Sequence, residues 1–354
     1  MTYNVIDLFC GIGGFSKGFE KAGFNVIAGI DNWKVALETF GKNHINTDII
    51  NSDIRNLDDE FLRKYTNKID VLIAGPPCQG FSMSGKRNPK DERNTLFEEV
   101  IRVVSVIKPK IVVIENVVGL LSMKNPNGEM IKNLIIEKFN RIGYETKYKI
   151  LNAADFGVPQ KRKRVIFMAS LNENIDFPDA TNSENSDKLK PWITVGDALG
   201  NIPDTDQIEY LNPRSNFQKI MANGTSKIYN HESQRHNKNV VRRMSLVPQG
   251  GNWKNIPPEF YNVGGEHSNN YRRLDPEKPA ITLKHASKSM IIHPVYNRCL
   301  TVREVARLQS FYDSFILLGT KFEQHQQLAN AVPPLLGYAI AKHIKNVLDK
   351  KLNN

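Results

Sequence analysis

Asn4-Val5-Ile6-Asp7-Leu8-Phe9-Cys10-Gly11-Ile12-Gly13-Gly14-Phe15 is the stretch on which the reading of the chain turns. A short apolar run, Val5–Phe9, enters a cluster of glycines, and a helix-period segment, Phe15–Ala22, follows. Glycines placed after a strand let the backbone approach a ligand and let a helix meet a sheet closely. Downstream, Val26–Ile30, Val71–Ala74, Ile111–Glu115, Tyr148–Asn152 and Val165–Ala169 read as strands, while Lys34–Phe40, Leu96–Ile107 and Met130–Arg141 carry helical periodicity. This alternation predicts an α/β fold with a doubly wound, mostly parallel sheet, whose ligands sit at the carboxyl ends of the strands.

The texture changes after Leu171. Residues 172–190 are rich in Asn, Asp and Ser and read as a linker, and the chain to about 300 carries Asn, Gly, Pro and scattered aromatics without clean periodicity. Helical patterns return at Val302–Gln309 and Leu335–Leu348. The expected division is a main domain over 1–185, completed by 318–354, and a smaller irregular domain over 186–317.

Composition narrows the class. Apolar residues make up 40% and charged residues 24% of the 354, as in ordinary globular proteins. No stretch approaches the roughly 20 apolar residues that span a bilayer, and the N-terminus lacks a basic, cleavable leader pattern, so a cytoplasmic protein without membrane contact is expected. The three cysteines, Cys10, Cys78 and Cys299, form neither a disulfide framework nor a metal pattern. The net charge of +11 favours a polyanionic partner, and residues 181–300 hold 16 Lys/Arg against 11 Asp/Glu.

At the glycine cluster, a dinucleotide fingerprint fails: Gly11 and Gly13 fit, but Ser16 occupies the third glycine position. Asp31, 20 residues after Gly11, closes the next strand, where an acid accepts from ribose hydroxyls. Asp53 is a further acceptor, suited to an adenine amino group or to capping a helix. The plainer alternative is glycines serving a tight turn alone.

In Ile73-Ala74-Gly75-Pro76-Pro77-Cys78-Gln79-Gly80-Phe81-Ser82, two prolines stiffen the strand end and place one thiol at the carboxyl edge of the sheet. The segment after it, Ser84–Arg93, is polar and turn-rich, the composition of a loop that closes over a site. An inert buried cysteine would want apolar neighbours on both sides, which Cys78 lacks. Glu115 ends a later strand, and Gln160-Lys161-Arg162-Lys163-Arg164 leads into another.

These motifs, with Arg272-Arg273-Leu274, Pro279-Ala280-Ile281-Thr282 and Asn330-Ala331-Val332-Pro333-Pro334, occur in the order and spacing found in DNA cytosine-C5 methyltransferases, which the chain resembles outside about 172–270. The resemblance implies a methyltransferase fold that uses S-adenosylmethionine and double-stranded DNA, acts as a monomer, and pairs with a restriction endonuclease. Cytosine C5 is a poor nucleophile; thiolate addition to C6 makes the ring an enamine that can attack a methyl sulfonium. By resemblance Cys78 is that nucleophile, Glu115 contacts N3 and the amine, Arg164 bonds O2 and Arg162 supports the site. Phe9, Gly11 and Ile12 from the glycine loop, Asp31 with Asn32 or Trp33 behind it, Asp53, Ile54, Pro77, Leu96, Asn330 and Ala331 match cofactor positions. Asn32 stands where a bulky residue is usual, Ala329 where glycine is usual, and Tyr312 where proline is common. The target cytosine is extruded into the pocket, with Ser84 on the closing loop. The irregular domain corresponds to target recognition, with Arg235, Arg242, Arg243, Gln249, Gly250 and Gly251 as DNA-contact candidates. Rival readings are an RNA cytosine methyltransferase of the same fold, a silent DNA-binding relative that would lack one of Cys78, Glu115 and Arg164, and an NAD-linked oxidoreductase, disfavoured by the missing third glycine.

Overall fold

The computed structural model describes residues 2–77, 96–172, 174–204, 209–222, 224–260 and 269–352. The chain forms two compact units. Unit 1 gathers Met1–Asn152, Lys163–Asp179 and Pro334–Asn354; unit 2 comprises Ala153–Arg162 and Ala180–Pro333.

Unit 1 is built on a seven-stranded sheet of β1 (Asn4–Leu8), β2 (Asn25–Asp31), β3 (Asp48–Asn51), β4 (Val71–Ala74), β5 (Ile111–Val117), β6 (Glu145–Asn152) and β7 (Lys163–Ser170), in the order β3-β2-β1-β4-β5-β7-β6. The first five strands are parallel, and β7 runs antiparallel to both β5 and β6. The central strands are runs of Val, Ile, Leu and Ala because both their faces are covered; Val71–Ala74 is buried at every position. The α/β expectation therefore holds, in a mixed sheet. The edge strand β3 was not legible, since its residues are exposed or half-buried and carry no apolar alternation.

Helices α1 (Gly14–Lys21), α2 (Lys34–Asn43), α3 (Asp59–Arg63), α4 (Leu96–Ile107) and α5 (Ile131–Arg141) belong to this unit, together with α11 (Pro334–Leu352), the last in chain order. In α4, Val100, Val103, Val104 and Ile107 recur at helical spacing and are all fully buried. Each such side chain contributes about 1.5–3 kcal/mol by leaving water. Gly18 has no room for a side chain, because a Cβ there would run into the backbone of Pro334, Gly337 and Tyr338; its absence lets α1 lie directly on α11. The expected linker 172–190 is corrected in part: Ile175 and Phe177 are buried, and Asn182–Ser183 (β8) pairs with Lys190–Pro191 (β9). Asn and Ser there satisfy backbone groups, as when Asn182 Nδ2 donates to Pro191 O.

Unit 2 holds α6 (Val195–Leu199), α7 (Asn216–Ala222), α8 (Lys238–Ser245), α9 (Val302–Leu308) and α10 (Lys321–Asn330), joined by long irregular stretches. Its division from unit 1 differs from the expected boundaries at 185 and 318. Helix α10 falls in unit 2 because it packs on α9 and is tied by Gln309 Nε2 donating to Leu328 O. Residues 153–162 also fall there, since Lys161 N donates to Ala280 O and Ala280 N to Pro159 O.

Candidate active site

The glycine loop leaves β1 through three left-handed residues, Phe9 (φ 58°), Gly11 (φ 53°) and Gly13 (φ 79°). At Gly13 a side chain is excluded twice, by this φ and by the His44 and Phe40 rings that a Cβ would strike. At Gly11 the space where a Cβ would sit is open. Asp31 braces the loop: its Oδ2 accepts from Gly11 N at 2.8 Å and its Oδ1 from Trp33 N at 2.8 Å. Burial raises the Asp31 carboxyl despite those bonds. Beneath the loop, Ser16 Oγ donates to Asp7 Oδ2 at 2.6 Å, both residues being fully buried. Burial drives the Asp7 carboxyl up to about 8 against the pull of that bond, and the Asp31 charge adds to the rise.

Of the other cofactor candidates in unit 1, Ile12 and Ile54 are buried core residues, Leu96 opens α4, and Phe9 and Pro77 are half-buried. Asp53 caps the short 3-10 turn Ile54–Asn56 by accepting from Arg55 N at 3.0 Å. It also takes a two-pronged bond from the Arg55 guanidinium, Nε at 2.9 Å and Nη2 at 2.8 Å, which holds its carboxyl at about 2. The capping alternative is thus realised at Asp53. The Asn32 side chain also bonds Asp53, so these two candidates meet, while Trp33 is half-buried.

At the carboxyl edges of β4 and β5, Glu115 and Arg164 pair, Nε to Oε1 at 2.7 Å, with side chains 11% and 12% exposed. The antiparallel course of β7 makes this meeting: Arg164, the second residue of β7, stands opposite Val117, the last of β5. Glu115 Oε2 and Phe9 O both lie 4.0 Å from the position of a Cβ on Gly75. Asn116, 5% exposed, donates from Nδ2 to Pro76 O at 3.2 Å and accepts from Val117 N at 2.8 Å. It thereby holds the proline turn that leads to position 78, a role the sequence reading missed although Asn116 lay inside a quoted motif. Cys78 and Ser84 lie outside the described residues. The other two thiols are buried: Cys10 is driven well above its ordinary value by burial and by Asp7 and Asp31, and Cys299 is pushed up to about 12 by burial. Among the described residues no group of three His, Cys, Asp or Glu could hold a metal ion.

In unit 2, Arg162 is buried and its Nη2 donates to Ala329 O at 3.0 Å and Ala331 O at 3.1 Å, fixing the turn that carries Asn330. Asn330 is exposed and accepts from Gln326 Nε2, and Ala331 is buried. Among the DNA-contact candidates, Arg235, Arg242 and Gln249 are exposed. Arg242 lies over the Phe260 ring, Arg243 Nε donates to Phe260 O at 2.6 Å, and Gln249 Nε2 donates to Pro294 O at 3.2 Å. Gly250, left-handed at φ 72°, and Gly251 exchange backbone bonds with Arg273. The Arg273 guanidinium donates to Met244, Val247, His293 and Tyr296 carbonyls and to Asn297 Oδ1, so it organises this region from inside. Nothing in the Arg272-Arg273-Leu274 stretch signals that role, because a basic side chain gives no sign of burial on its own.

A sheet of this topology with an acid–arginine pair and a glycine loop at its carboxyl edge defines a methyltransferase-like α/β enzyme. The C-5 cytosine-specific DNA methylase family matches residues 3–346, so the chain belongs to that family and is a DNA (cytosine-5-)-methyltransferase. It is 39% identical to the type II methyltransferase M.DdeI of Desulfomicrobium norvegicum, over 96% of this chain and 88% of that one. It is also 39% identical to M1.HphI of Haemophilus parahaemolyticus, over 97% and 87%. A solved E. coli prophage-encoded structure, described as a DNA modification methyltransferase, superposes with a TM-score of 0.78 at 27% identity, covering 98% of this chain and all of that one. Schizosaccharomyces pombe Dnmt2, at 16% identity, TM-score 0.61 and full coverage of both chains, shares the fold.

Proposed function

We propose that this enzyme methylates C5 of an extruded cytosine in a specific duplex DNA sequence, with S-adenosylmethionine as donor and Cys78 as covalent nucleophile. The observation that carries the reading is the Glu115–Arg164 pair, one strand from the Pro76–Pro77 turn that Asn116 holds. The thiolate of Cys78 adds to C6, and the electron pair of the C5–C6 double bond moves into the ring as an enamine. Glu115 shares a proton with N3 to neutralise that charge, and Arg164 bonds O2. By family resemblance Arg164 also favours the thiolate form of Cys78, as a nearby cation does. S-adenosylmethionine, when bound, supplies the methyl group as a sulfonium. A base then removes the C5 proton, and the C6–S bond breaks to restore the ring and the thiolate.

The open space at Gly11 and the lone pairs left on Asp31 suit a ribose-bearing cofactor, and Asp53 with Asn32 and Ile54 suits the adenine end. Phe9, Ile12, Trp33, Pro77 and Leu96, with Asn330 and Ala331, complete the assignment by family resemblance. Arg162 acts on the Ala329–Ala331 turn rather than on the base. Residues 186–317 serve as the target-recognition domain, with Arg242 and Gln249 as exposed contacts, and family resemblance puts Ser84 on a loop that closes over the base. The type II methyltransferases among the relatives support a restriction-modification role; in this reading the enzyme is a cytoplasmic monomer that works beside an endonuclease. No helix among the described residues is long and apolar enough to cross a membrane.

Fluorine at C5 blocks the last step because it cannot leave as a cation. A fluorocytosine duplex with S-adenosylmethionine should therefore trap wild type in a complex that survives denaturing electrophoresis. Cys78→Ala should trap none and transfer no methyl groups, while its DNA affinity holds, because phosphate contacts supply much of that affinity. Cys10→Ala and Cys299→Ala should still trap. A band lost with Cys10 or Cys299 instead of Cys78 overturns the assignment.

A further inference from the structure

Ser16 stands where a dinucleotide fingerprint would have its third glycine, and the structure explains the exchange. The third glycine of that fingerprint lets the helix lie close on the sheet, whereas the close approach made by α1 is to another helix, through Gly18 against α11. Ser16 is free to use its hydroxyl, which reaches back from α1 to Asp7 on β1 beneath the glycine loop. Asp7 is 1% exposed, and among the described residues no Lys, Arg or His lies in ion-pair range of it. The neighbouring strand β4 presents Val71, Leu72, Ile73 and Ala74. The titratable groups that face Asp7 are Asp31 at the end of β2 and Cys10 in the loop. The α1 cation Lys17 is bonded to Glu20, which also takes His44. A carboxylate in such a place is costly without a partner cation, so the group keeps its proton.

We propose that Asp7 is a positioning residue for the cofactor: as a neutral carboxyl bonded to Ser16 it clamps β1 to α1 and fixes the Phe9–Gly13 loop that meets the ligand. Two carboxyls then brace the loop in different states. Asp31 accepts the loop's Gly11 amide on one side, and protonated Asp7 holds the loop's two ends on the other. Ionising Asp7 places a second negative charge beside Asp31 and loosens the loop. This rests on the cofactor reading above, and the burial that pushes the Asp7 carboxyl up to about 8 agrees with it.

The test is S-adenosylmethionine affinity by calorimetry from pH 6.5 to 9.5, with hydrogen exchange of the loop amides in cofactor-free enzyme over the same range. Wild type should lose affinity above pH 8 by up to roughly tenfold per pH unit, and its loop protection, corrected for intrinsic exchange, should fall as pH rises toward 8 and level off beyond it. Asp7→Asn, uncharged and nearly isosteric, should bind within about threefold of wild type at pH 7 and show neither alkaline loss. Ser16→Ala should weaken binding at every pH while DNA affinity stays unchanged. Asp7→Asn that keeps the wild-type alkaline loss, in affinity or in loop protection, overturns the proposal. Wild type whose loop protection follows the expected profile but which binds no S-adenosylmethionine would sink the cofactor reading and leave the Asp7 clamp standing.

Discussion

Unit 1 fills its interior with hydrocarbon, from Ile6 and Leu8 on β1 through Val100–Ile107 on α4 to Phe139 on α5. Unit 2 buries its charges in pairs. Arg307 and Asp313 are both fully buried and bonded to each other, Arg303 stands 3.8 Å from the same carboxylate, and Tyr210 OH donates to it at 2.8 Å. Arg298 grips buried Glu304 with Nη1 and Nη2 at 2.9 and 2.8 Å. Regular secondary structure gives unit 1 a repeating apolar surface to bury. Unit 2 has short helices and long loops, whose carbonyls need fixed donors, and guanidinium groups provide several in a plane. Arg303 shows the principle, donating to Tyr229, Tyr312 and Phe315 carbonyls. A charge-based interior specifies one arrangement of loops at the cost of sensitivity to losing any single partner.

The largest expected effect breaks such a pair. Asp313→Ala leaves Arg307 and Arg303 buried without their carboxylate and should destabilise the enzyme by about 3–5 kcal/mol. Ile135→Val in unit 1 trims a fully buried side chain and should cost about 0.5–1.5 kcal/mol. Denaturant titration of both variants checks the contrast; comparable losses would show that unit 2 repacks around its charges as readily as unit 1 does around a methyl group.

A second test uses pH. Burial pushes His293 and His325 down to about 4 from an ordinary 6.5, so unit 2 loses stability as pH falls through that window and these imidazoles charge. Glu304, which burial alone would raise, is held at about 2 by His293 and Arg298; its contribution is present above 4.5 and drains away only as pH approaches 2. In unit 1 the sign reverses, because Asp7 is raised: its contribution is full below about 4 and is lost as pH rises toward 8. Between pH 7.5 and 5, hydrogen-exchange protection should therefore fall in unit 2 and hold or rise around β1 and α1. Equal loss in both units would break the comparison.

The smallest effect compares two caps within unit 2. Thr301 caps α9 from a buried position, where Glu304 returns the bond and also binds Arg298; Thr320 caps α10 in the same way at the surface. Thr301→Ala should cost about 2 kcal/mol and Thr320→Ala about 0.5–1 kcal/mol, read as shifts in denaturation midpoint. Equal shifts would mean that the Arg298 link adds nothing to the buried cap.

Legibility followed the same divide. Val71–Ala74 and Leu96–Ile107 were read to the residue, because strands covered on both faces and helices against a sheet have strong apolar periods. The antiparallel direction of β7 was not visible, since a strand's composition carries no sign of its direction, yet that direction brings Arg164 to Glu115. Both residues were recognised through motifs, not through periodicity. Asp31 was found by its spacing, whereas Asp53 could be read either way until Arg55 was seen to occupy it. Asp7 and Arg273 stood in quoted motifs without roles, because what they do depends on the absence of solvent, and a linear sequence does not display burial.

The seating of α11 on α1 sets the order of events at the ribosome. Gly18 meets Pro334–Tyr338 about 300 residues later in the chain, so β1 and α1 are made first but acquire their cover late. At roughly 5–20 residues per second, the nascent N-terminal half waits on the order of 15–60 s with that face open, a natural target for a chaperone. The face of α1 that carries Gly18 is thus left without its helical cover until residues 334–352 emerge, although Asp31, Asp7 and Ser16, which brace the glycine loop, are all in place long before.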